Sequence, residues 1–315
     1  MIVTVTLNPA VDRVVLLDEL RLGDSNRVYD GEIDPGGKGV NVSRVLRELG
    51  GDSLATGFVA GSLGHFIEAS LKRNGIPVAF IRVPGQTRQN LAIIETRSRR
   101  HTMLNEAGPE TDPRYVRRLE RLLARRVRAG DWVVLAGSVP PRISPNVYAE
   151  LTALVHANGG RVCLDTDGLP LVEGIRARPD LIKPNREELE RLVGHATVSE
   201  ADVLKAAAEL RDRGIANVVV SMGKQGTIAL SAEGAWRAYP PTVETVSAVG
   251  SGDSLVAGLV LALSRGDSLD EGLRIGTAAG AATAMRPGTR LARGDDIRRL
   301  IPRVVVEPLM LQKAA

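Results

Sequence analysis

The stretch "DWVVLAGS", residues 131–138, is a short apolar run that ends in small and polar residues. The same pattern recurs in "RVCLDTDG" (161–168), "DLIKPN" (180–185) and "NVVVSMG" (217–223), with helical patterns between the runs. Short β-branched runs of this kind are typical of parallel strands that helices cover on both faces. Strands that alternate with helices therefore predict an α/β sandwich built on a parallel sheet.

Two segments, approximately 11–34 and 86–106, lie outside this alternation and look antiparallel. We predict that they form a small sheet, a lid, inserted into a single domain that spans residues 1–315. Such a sheet has an exposed face that substrate or a second subunit would cover.

The charge balance of the chain is only slightly basic. The 315 residues carry 41 Lys and Arg against 37 Asp and Glu, and aromatic residues make up 3%. Nucleic-acid binders more often show a concentrated basic stripe with stacking rings, so no nucleic-acid partner is predicted. A mild basic excess fits the binding of small anions equally well.

Cysteine content and hydropathy indicate where the protein works. The chain has one cysteine, which excludes a disulfide within it and favours a reducing compartment. Neither a signal peptide nor an uninterrupted apolar stretch long enough to cross a bilayer is apparent. We therefore expect a cytoplasmic protein without a membrane partner.

The predicted ligand site lies beyond the carboxyl ends of the parallel strands, as in other open parallel sheets. Two common nucleotide motifs are absent from the chain. Neither Gly37-Lys38 nor Gly223-Lys224 has the flanking residues of a P-loop, and no G-x-G-x-x-G motif follows the first strand. A nucleotide would have to bind by another loop.

The segment "SAVGSGDSLVAGLVLAL", residues 247–263, offers such a loop. Gly250, Ser251 and Gly252 precede an apolar helix and would leave backbone N–H groups free to bind an anion. Such groups can stabilise a phosphoryl group in transfer, and Asp253 could accept the proton of an attacking hydroxyl. The alternative is that Ser251 or Asp253 merely caps the helix, and the segment alone favours that alternative.

Two further segments could bind a sugar phosphate. In "GGKGVN" (36–41), glycines expose the backbone, Lys38 adds charge and Asn41 could bind hydroxyls, although the segment could also be a plain turn before a helix. In "TRQN" (87–90), the Arg88 guanidinium suits a phosphate because it donates two parallel hydrogen bonds, although a lone arginine is usually a surface residue.

Two segments could bind nucleotide and metal. In "KPNREEL" (183–189), Asn185 and Glu188 could hold water around Mg²⁺, or they could form a capping box at a helix start. In "SMGKQG" (221–226), Ser221, Gly223 and Gly226 could contact nucleotide phosphates, or they could form only a hairpin turn.

Together these motifs resemble one family. The matching segments, in chain order, are "TLNPAVD", "DPGGKGVNVSRVLRELGG", "GQTRQN", "LAGSVPP", "LDTDG", "KPNREEL", "VVSMGKQG" and "SAVGSGDSLVAG". The sequence is similar to the ribokinase-like carbohydrate kinases of the phosphofructokinase B family, especially bacterial 1-phosphofructokinases and tagatose-6-phosphate kinases. The resemblance implies a three-layer α/β/α sandwich with a mostly parallel central sheet and a small β-sheet lid.

The resemblance also implies roles for individual residues. Asp253 would be the catalytic base, and Gly250, Ser251 and Gly252 would form the anion hole. The implied substrate-binding residues are Asp12, Gly37, Lys38, Asn41, Arg88, Asn90 and Ser138. Lys183, Asn185, Ser221, Gly223 and Gly226 would contact ATP, and Asn185 and Glu188 would hold Mg²⁺ through water.

The activity implied is transfer of a phosphoryl group from ATP, with Mg²⁺, to a ketohexose phosphate, with fructose 1-phosphate as the first choice. The alternatives are tagatose-6-phosphate kinase, 6-phosphofructokinase and, from another class, a non-catalytic sugar-phosphate sensor. A homodimer formed through the lid is also implied. The chain departs from the family's usual "TVGAGD" at Ala248 and Ser251, which replace Thr and Ala.

Overall fold

The computed structural model describes residues 1–98 and 100–310, with Asp30 described by its backbone alone. Its described residues form two sheets, of ten strands and of four. The strands of the larger sheet, in chain order, are β1 (Ile2–Thr6), β4 (Ser53–Val59), β5 (Ile81–Arg82), β8 (Trp132–Ala136), β9 (Arg161–Asp165), β10 (Leu181–Ile182), β11 (Asn217–Ser221), β12 (Thr227–Leu230), β13 (Ala235–Tyr239) and β14 (Val305–Leu309). The strands of the smaller sheet are β2 (Ala10–Leu17), β3 (Asp30–Gly36), β6 (Arg88–Glu95) and β7 (His101–Asn105).

The larger sheet has the order β14-β13-β12-β11-β10-β9-β8-β1-β4-β5. All pairings from β5 to β11 are parallel, and those from β11 to β14 are antiparallel. The four apolar runs that predicted parallel strands are β8, β9, β10 and β11, adjacent in the sheet and parallel. Their carboxyl ends therefore meet along one edge, where ligands bind in such sheets.

Helices cover both faces of the larger sheet. The helices are α1 (Lys38–Glu48), α2 (Gly61–Arg73), α3 (Arg114–Arg126), α4 (Val147–Ala157), α5 (Gly168–Gly174), α6 (Arg186–Val193), α7 (Glu200–Asp212), α8 (Ser251–Arg265), α9 (Leu269–Ala284) and α10 (Gly294–Leu300). One apolar core packs under α3 to α7, and another packs under α1, α8, α9 and α10. The predicted three-layer α/β/α sandwich is confirmed.

Alternate residues of each central strand supply the two cores. In β8, Val133 and Leu135 belong to the core under α3 to α7, whereas Trp132 and Val134 belong to the other. Because successive strand side chains point to opposite faces, a strand covered on both sides must be apolar throughout. No helix in the described ranges is long and apolar enough to span a bilayer.

The smaller sheet has the order β3-β2-β6-β7, and its strands overlap the two predicted lid segments. The β2–β3 and β6–β7 pairs are antiparallel, as predicted, but β2 and β6 are parallel. The fully antiparallel prediction was wrong there because the chain returns from β2 to β6 through α1, β4 and α2 rather than through a hairpin.

The lid strands present two different faces. Asp12 of β2 lies opposite Asn90 of β6, so both side chains occupy one face. The neighbouring row lies on the other face and includes Ile33 and Leu104, each 53% exposed. One face is therefore polar near Asp12, and the other, the outer face, carries the exposed apolar side chains of Ile33 and Leu104 with the exposed Arg13 in the same row.

Candidate active site

Helix α8 begins at Ser251, directly after Gly250, whose φ of 78° lies in the left-handed region that favours glycine. No side chain caps this helix, so the capping alternative for Ser251 and Asp253 is wrong. The Gly252 and Asp253 amides find no acceptor in the described part of the chain. Free N–H groups and the positive end of the helix dipole make this turn suited to an anion.

Asp253 is buried in the first turn of α8. Its Oδ2 accepts a 2.8 Å hydrogen bond from Asn41 Nδ2, and it makes no other side-chain hydrogen bond with a described residue. Burial, and then the charge of Asp165, raise the pKa of Asp253 to about 6. A carboxylate with such a pKa is ionised at neutral pH and remains basic enough to accept a proton.

Asp165, at the end of β9, is a site residue to which the sequence analysis gave no role. It is 1% exposed, and its Oδ1 lies 3.0 Å from Lys38 Nζ and 3.5 Å from Lys183 Nζ. Burial alone would raise the pKa of Asp165, but the two ammonium groups outweigh burial and lower it. Asp165 thus holds two cations at the carboxyl edge of the sheet.

Lys183 follows β10 and is 5% exposed. A Cβ atom placed on Gly252 would lie 3.4 Å from Lys183 Nζ, so this ammonium group is next to the first turn of α8. The turn at the start of α8 therefore has a positive charge beside its free amides.

Lys38 opens α1 after Gly37, whose φ of 103° requires glycine. Burial lowers the pKa of Lys38, but carboxylates outweigh burial and raise it. These carboxylates are, in decreasing order of effect, Asp165, Asp253 and Glu188. Lys38 therefore stays charged, with three acidic groups in its vicinity.

On the lid, Asp12 Oδ1 accepts a 2.8 Å hydrogen bond from Asn90 Nδ2. Burial raises the pKa of Asp12, although the Asn90 hydrogen bond and the charge of Arg88 oppose the rise. A Cβ atom at Gly36 would occupy the position of the Asp12 carboxylate, so this glycine leaves space for the acid.

Arg88 is anchored by backbone carbonyls next to the lid. Its guanidinium donates to the carbonyls of Asn8 at 3.2 Å and Glu106 at 3.0 Å, and to Asn90 Oδ1 at 3.2 Å. The Asn8 side chain donates in turn to Ser138 Oγ at 3.2 Å. Arg88 and Ser138 are thus connected through Asn8, which lies in the "TLNPAVD" motif but was not assigned a role.

A cavity of about 520 Å³ lies beside Arg88, and Glu106 and Gly108 are also among its lining residues. A guanidinium that reaches the wall of a cavity can receive a phosphate group there.

Asn185 and Glu188 form the capping box of α6. Asn185 Oδ1 accepts from the Glu188 amide, and Glu188 Oε2 accepts from the Asn185 amide, both at 2.8 Å. Glu188 is buried and keeps its second carboxylate oxygen free of hydrogen bonds to described residues. Among residues 1–98 and 100–310, no group of three or more His, Cys, Asp or Glu could hold a metal directly.

The segment 221–226 forms the turn between β11 and β12. Gly223 has a φ of 57° and open space where a Cβ would be, whereas a Cβ at Gly226 would collide with the Ala238 carbonyl. Gly226 thus has a packing reason to be glycine, and Gly223 leaves an open surface. The backbones of Ser221 and Asn185 form an isolated parallel β-bridge, which connects this turn to the start of α6.

The structure brings most predicted site residues into three connected groups. Asn41 bonds Asp253, and Lys38 and Lys183 meet at Asp165 beside Gly252. The third group is the chain of hydrogen bonds that joins Asp12, Asn90, Arg88, Asn8 and Ser138. Gly223 and Gly226 lie at a separate turn, between β11 and β12.

The chain is similar to proteins of one family. A family model described as pfkB family carbohydrate kinase matches residues 5–294. The chain is 39% identical over 305 residues to the 1-phosphofructokinase of Xanthomonas campestris pv. campestris, covering 95% of this chain and 93% of that protein. It is 34% identical over 310 residues to the 1-phosphofructokinase of Borreliella burgdorferi, covering 98% and 99%.

A solved phosphofructokinase structure is also similar to this chain in sequence and fold. The phosphofructokinase-2 from Escherichia coli in complex with fructose-6-phosphate superimposes with a TM-score of 0.90 at 30% identity, covering 96% of this chain and 98% of that chain. Both the resemblance predicted from the motifs and the fold predicted with it are confirmed. The chain belongs to the pfkB family of carbohydrate kinases, which are phosphotransferases with a hydroxyl group as acceptor.

Proposed function

We propose that this kinase transfers the γ-phosphoryl group of ATP to the 6-hydroxyl of fructose 1-phosphate, giving fructose 1,6-bisphosphate and ADP. The observation that carries the proposal is Asp253, a buried carboxylate with a pKa of about 6 in the first turn of α8, next to free backbone amides. The similarity to 1-phosphofructokinases over nearly the full chain supports the choice of substrate.

Asp253 accepts the proton of the attacking hydroxyl. Because Oδ2 is bonded to Asn41, the second oxygen, Oδ1, is available to the sugar. A bond forms between O6 and the γ-phosphorus as the bond from that phosphorus to the bridging oxygen of ADP breaks. The O6 proton moves to Asp253, which later releases it to water.

Negative charge on the phosphoryl group in transfer is balanced at the start of α8. The Gly252 and Asp253 amides donate to its oxygens, and Lys183 adds a positive charge beside Gly252. Gly250 and Ser251 shape the turn that exposes these amides. Preorganised donors of this kind stabilise a transition state without reorganisation during the reaction.

The lid and the start of α1 hold the sugar. Asp12, Asn90 and Asn41 bind hydroxyls of the sugar, and Gly37 lets the sugar approach the backbone at the start of α1. Arg88 and Lys38 bind its 1-phosphate, with Ser138 nearby. Two carbonyls and one amide oxygen fix the Arg88 guanidinium, so little side-chain entropy is lost when a phosphate binds.

ATP and Mg²⁺ bind at the opposite side of the transferred group. Lys183, Asn185, Ser221, Gly223 and Gly226 form the nucleotide side, with the open surface at Gly223 as its phosphate-facing turn. The free oxygen of Glu188 and the side chain of Asn185 suit Mg²⁺ bound through water, since this ion usually keeps several waters. When bound, Mg²⁺ neutralises charge on the nucleotide phosphates.

A comparison of phosphosugars tests the substrate. Fructose carries primary hydroxyls at both C1 and C6, so the similarity to phosphofructokinase-2 in complex with fructose-6-phosphate makes 6-phosphofructokinase the second candidate. We expect kcat/KM with ATP and Mg²⁺ to be highest for fructose 1-phosphate among fructose 1-phosphate, fructose 6-phosphate and tagatose 6-phosphate. A higher value for either 6-phosphate would refute the proposal, and no turnover of any sugar would favour a non-catalytic sensor.

We also propose that the exposed apolar face of the lid binds a second copy of this chain. Ile33 and Leu104 lie in one cross-strand row on this face. Light scattering should give twice the 33.6 kDa chain mass, and Ile33→Asp should halve it. Val198→Asp, at a residue 79% exposed outside the lid, is the control. A monomeric wild type, or a dimer insensitive to Ile33→Asp, would refute this interface.

A further inference from the structure

A second concave site lies between α1, the end of α2 and the segment that joins α9 to α10. Its volume is about 700 Å³, within the range of small-molecule sites. None of the residues assigned above to the sugar, nucleotide or metal lines it. Its lining carries five arginines, which are Arg44, Arg47, Arg286, Arg290 and Arg293, and a single acid, Glu48.

The arginines of this cavity are incompletely neutralised. Arg286 and Arg293 form no ion pair with any residue in 1–98 and 100–310, and the Arg286 Nε is buried without an acceptor there. Arg47 lies 3.5 Å from Asp52, an aspartate that is 91% exposed. Glu48 is engaged by the Gly294 amide at 2.7 Å. The cavity therefore holds at least two guanidinium groups without an ion-pair partner among the described residues, and the Nε of Arg286 is a buried donor without a protein acceptor there.

The other two arginines hold the lid. Arg44 pairs with Asp34 at 3.1 Å, and Arg290 pairs with Glu32. Both acids lie in lid strand β3, and Asp34 stands opposite Asp12 in the strand register. The guanidinium groups of Arg44 and Arg290 thus line the cavity and also anchor β3, whose Asp34 lies next to Asp12 on the polar face of the lid.

We propose that this cavity is a second anion site, which binds a small metabolite carrying at least two phosphate groups and thereby loosens the lid. Guanidinium groups match phosphate oxygens in geometry and charge, and several unpaired ones in one cavity favour a multiply charged ligand. Recognition rests on phosphate rather than on a base, because no aromatic ring lies among the lining residues described. A bound polyphosphate competes with Glu32 and Asp34 for Arg290 and Arg44, and so weakens sugar binding.

Binding of inorganic pyrophosphate, measured by titration calorimetry at constant ionic strength, tests the site without reference to the sugar. The double variant Arg286→Ala/Arg293→Ala should raise the Kd for pyrophosphate at least tenfold, because the loss of about one charged hydrogen bond has an effect of this order. The matched control Arg117→Ala/Arg121→Ala removes two exposed arginines of α3 and should leave Kd within about twofold. If the double variant fails to fold, Arg47→Ala replaces it.

Three binding outcomes would overturn the site. The first is that the wild-type protein shows no saturable binding of pyrophosphate, and the second is that the double variant binds it as tightly as wild type. The third is that the double variant still binds pyrophosphate whereas Arg88→Ala does not. In that last case the probe would occupy the active site.

The effect on the lid is read from kinetics. With free Mg²⁺ held constant, pyrophosphate should raise the KM for the phosphosugar in wild type and in the α3 control, and much less in the double variant. Equal inhibition of all three proteins, or binding without any change in KM, would overturn the effector role.

Discussion

Asn41 donates a 2.8 Å hydrogen bond to Asp253, although 212 residues separate them in the chain. Asn41 lies in the first turn of α1, and Asp253 lies in the first turn of α8. The two helices pack side by side on one face of the sheet, so their amino ends meet at its carboxyl edge. One oxygen of the carboxylate is thereby fixed, and the other can face the acceptor hydroxyl.

Replacing Asp253 by Asn should lower kcat by about 100- to 10 000-fold, because it removes the carboxylate that we propose as the general base. The side chain keeps its size and an acceptor for Asn41. Steady-state rates at saturating sugar and ATP measure the effect. The control Asp270→Asn changes another acid in the first turn of a helix and should retain wild-type kcat. Near wild-type turnover by Asp253→Asn would exclude Asp253 as the base.

The rate should depend on pH through Asp253. Its pKa is raised to about 6, and only the ionised form accepts a proton. The logarithm of kcat/KM should therefore rise with pH up to about 6 and level off above it. A pH profile extending down to about pH 4.5 measures the limb. A flat profile through pH 6 would contradict the assignment.

Asp253→Asn should also stabilise the folded protein at neutral pH. Burial of the charge raises the pKa from 3.8 to about 6, so the unfavourable contribution is absent below 3.8 and complete above about 6. The expected gain in the free energy of unfolding at pH 8 is about 3 kcal/mol, vanishing near pH 3.5. Urea unfolding at both pH values measures it, and an equal or lower stability at pH 8 would contradict the electrostatic cause.

Replacing Asp165 by Ala should destabilise the fold by about 3 kcal/mol, because Lys183 is left buried without its counter-ion. Thermal and urea unfolding measure the loss. Asp52→Ala, which removes a fully exposed partner of Arg47, should change stability by less than about 0.5 kcal/mol. If the two variants were equally stable, Asp165 would not be what holds the lysines.

Arg88→Ala should raise the KM for the phosphosugar by about 100-fold, with a smaller effect on kcat, because it removes the charged contact that we propose for the substrate phosphate. Initial rates over a range of sugar concentrations separate the two constants. Arg82→Ala, which removes a more exposed ion-paired arginine nearby in the chain, is the matched control. An unchanged KM in Arg88→Ala would remove Arg88 from the phosphate site.

The sequence predicted the α/β sandwich well because its signal is local. An apolar run such as "DWVVLAGS" indicates by its own composition a strand that is buried on both faces. The four runs of this kind correspond to β8, β9, β10 and β11. The parallel pairing of β2 with β6 was missed because pairing depends on the path of the chain between the strands, which alternation of side chains does not record.

The role of Asp165 was missed for a similar reason. An acid at the end of a strand is common. Asp165 differs in that it contacts two lysines, Lys38, which lies 127 residues before it, and Lys183, which follows the next strand, β10. The local sequence around Asp253 favours a helix cap, because a small polar residue or an acid at a helix start often serves as one. The contact of Asp253 with Asn41 depends instead on the packing of α1 against α8, which local sequence does not record.

The lid strands impose a constraint on how this kinase can evolve. In β2, Asp12 and Arg13 are adjacent, yet Asp12 lies on the polar face of the lid and Arg13 lies on the opposite face, with Ile33 and Leu104. A single-residue insertion or deletion in β2 would turn every later side chain of that strand to the opposite face. Changes in the length of this segment are therefore expected to be confined to the loop between β2 and β3, or to occur two residues at a time.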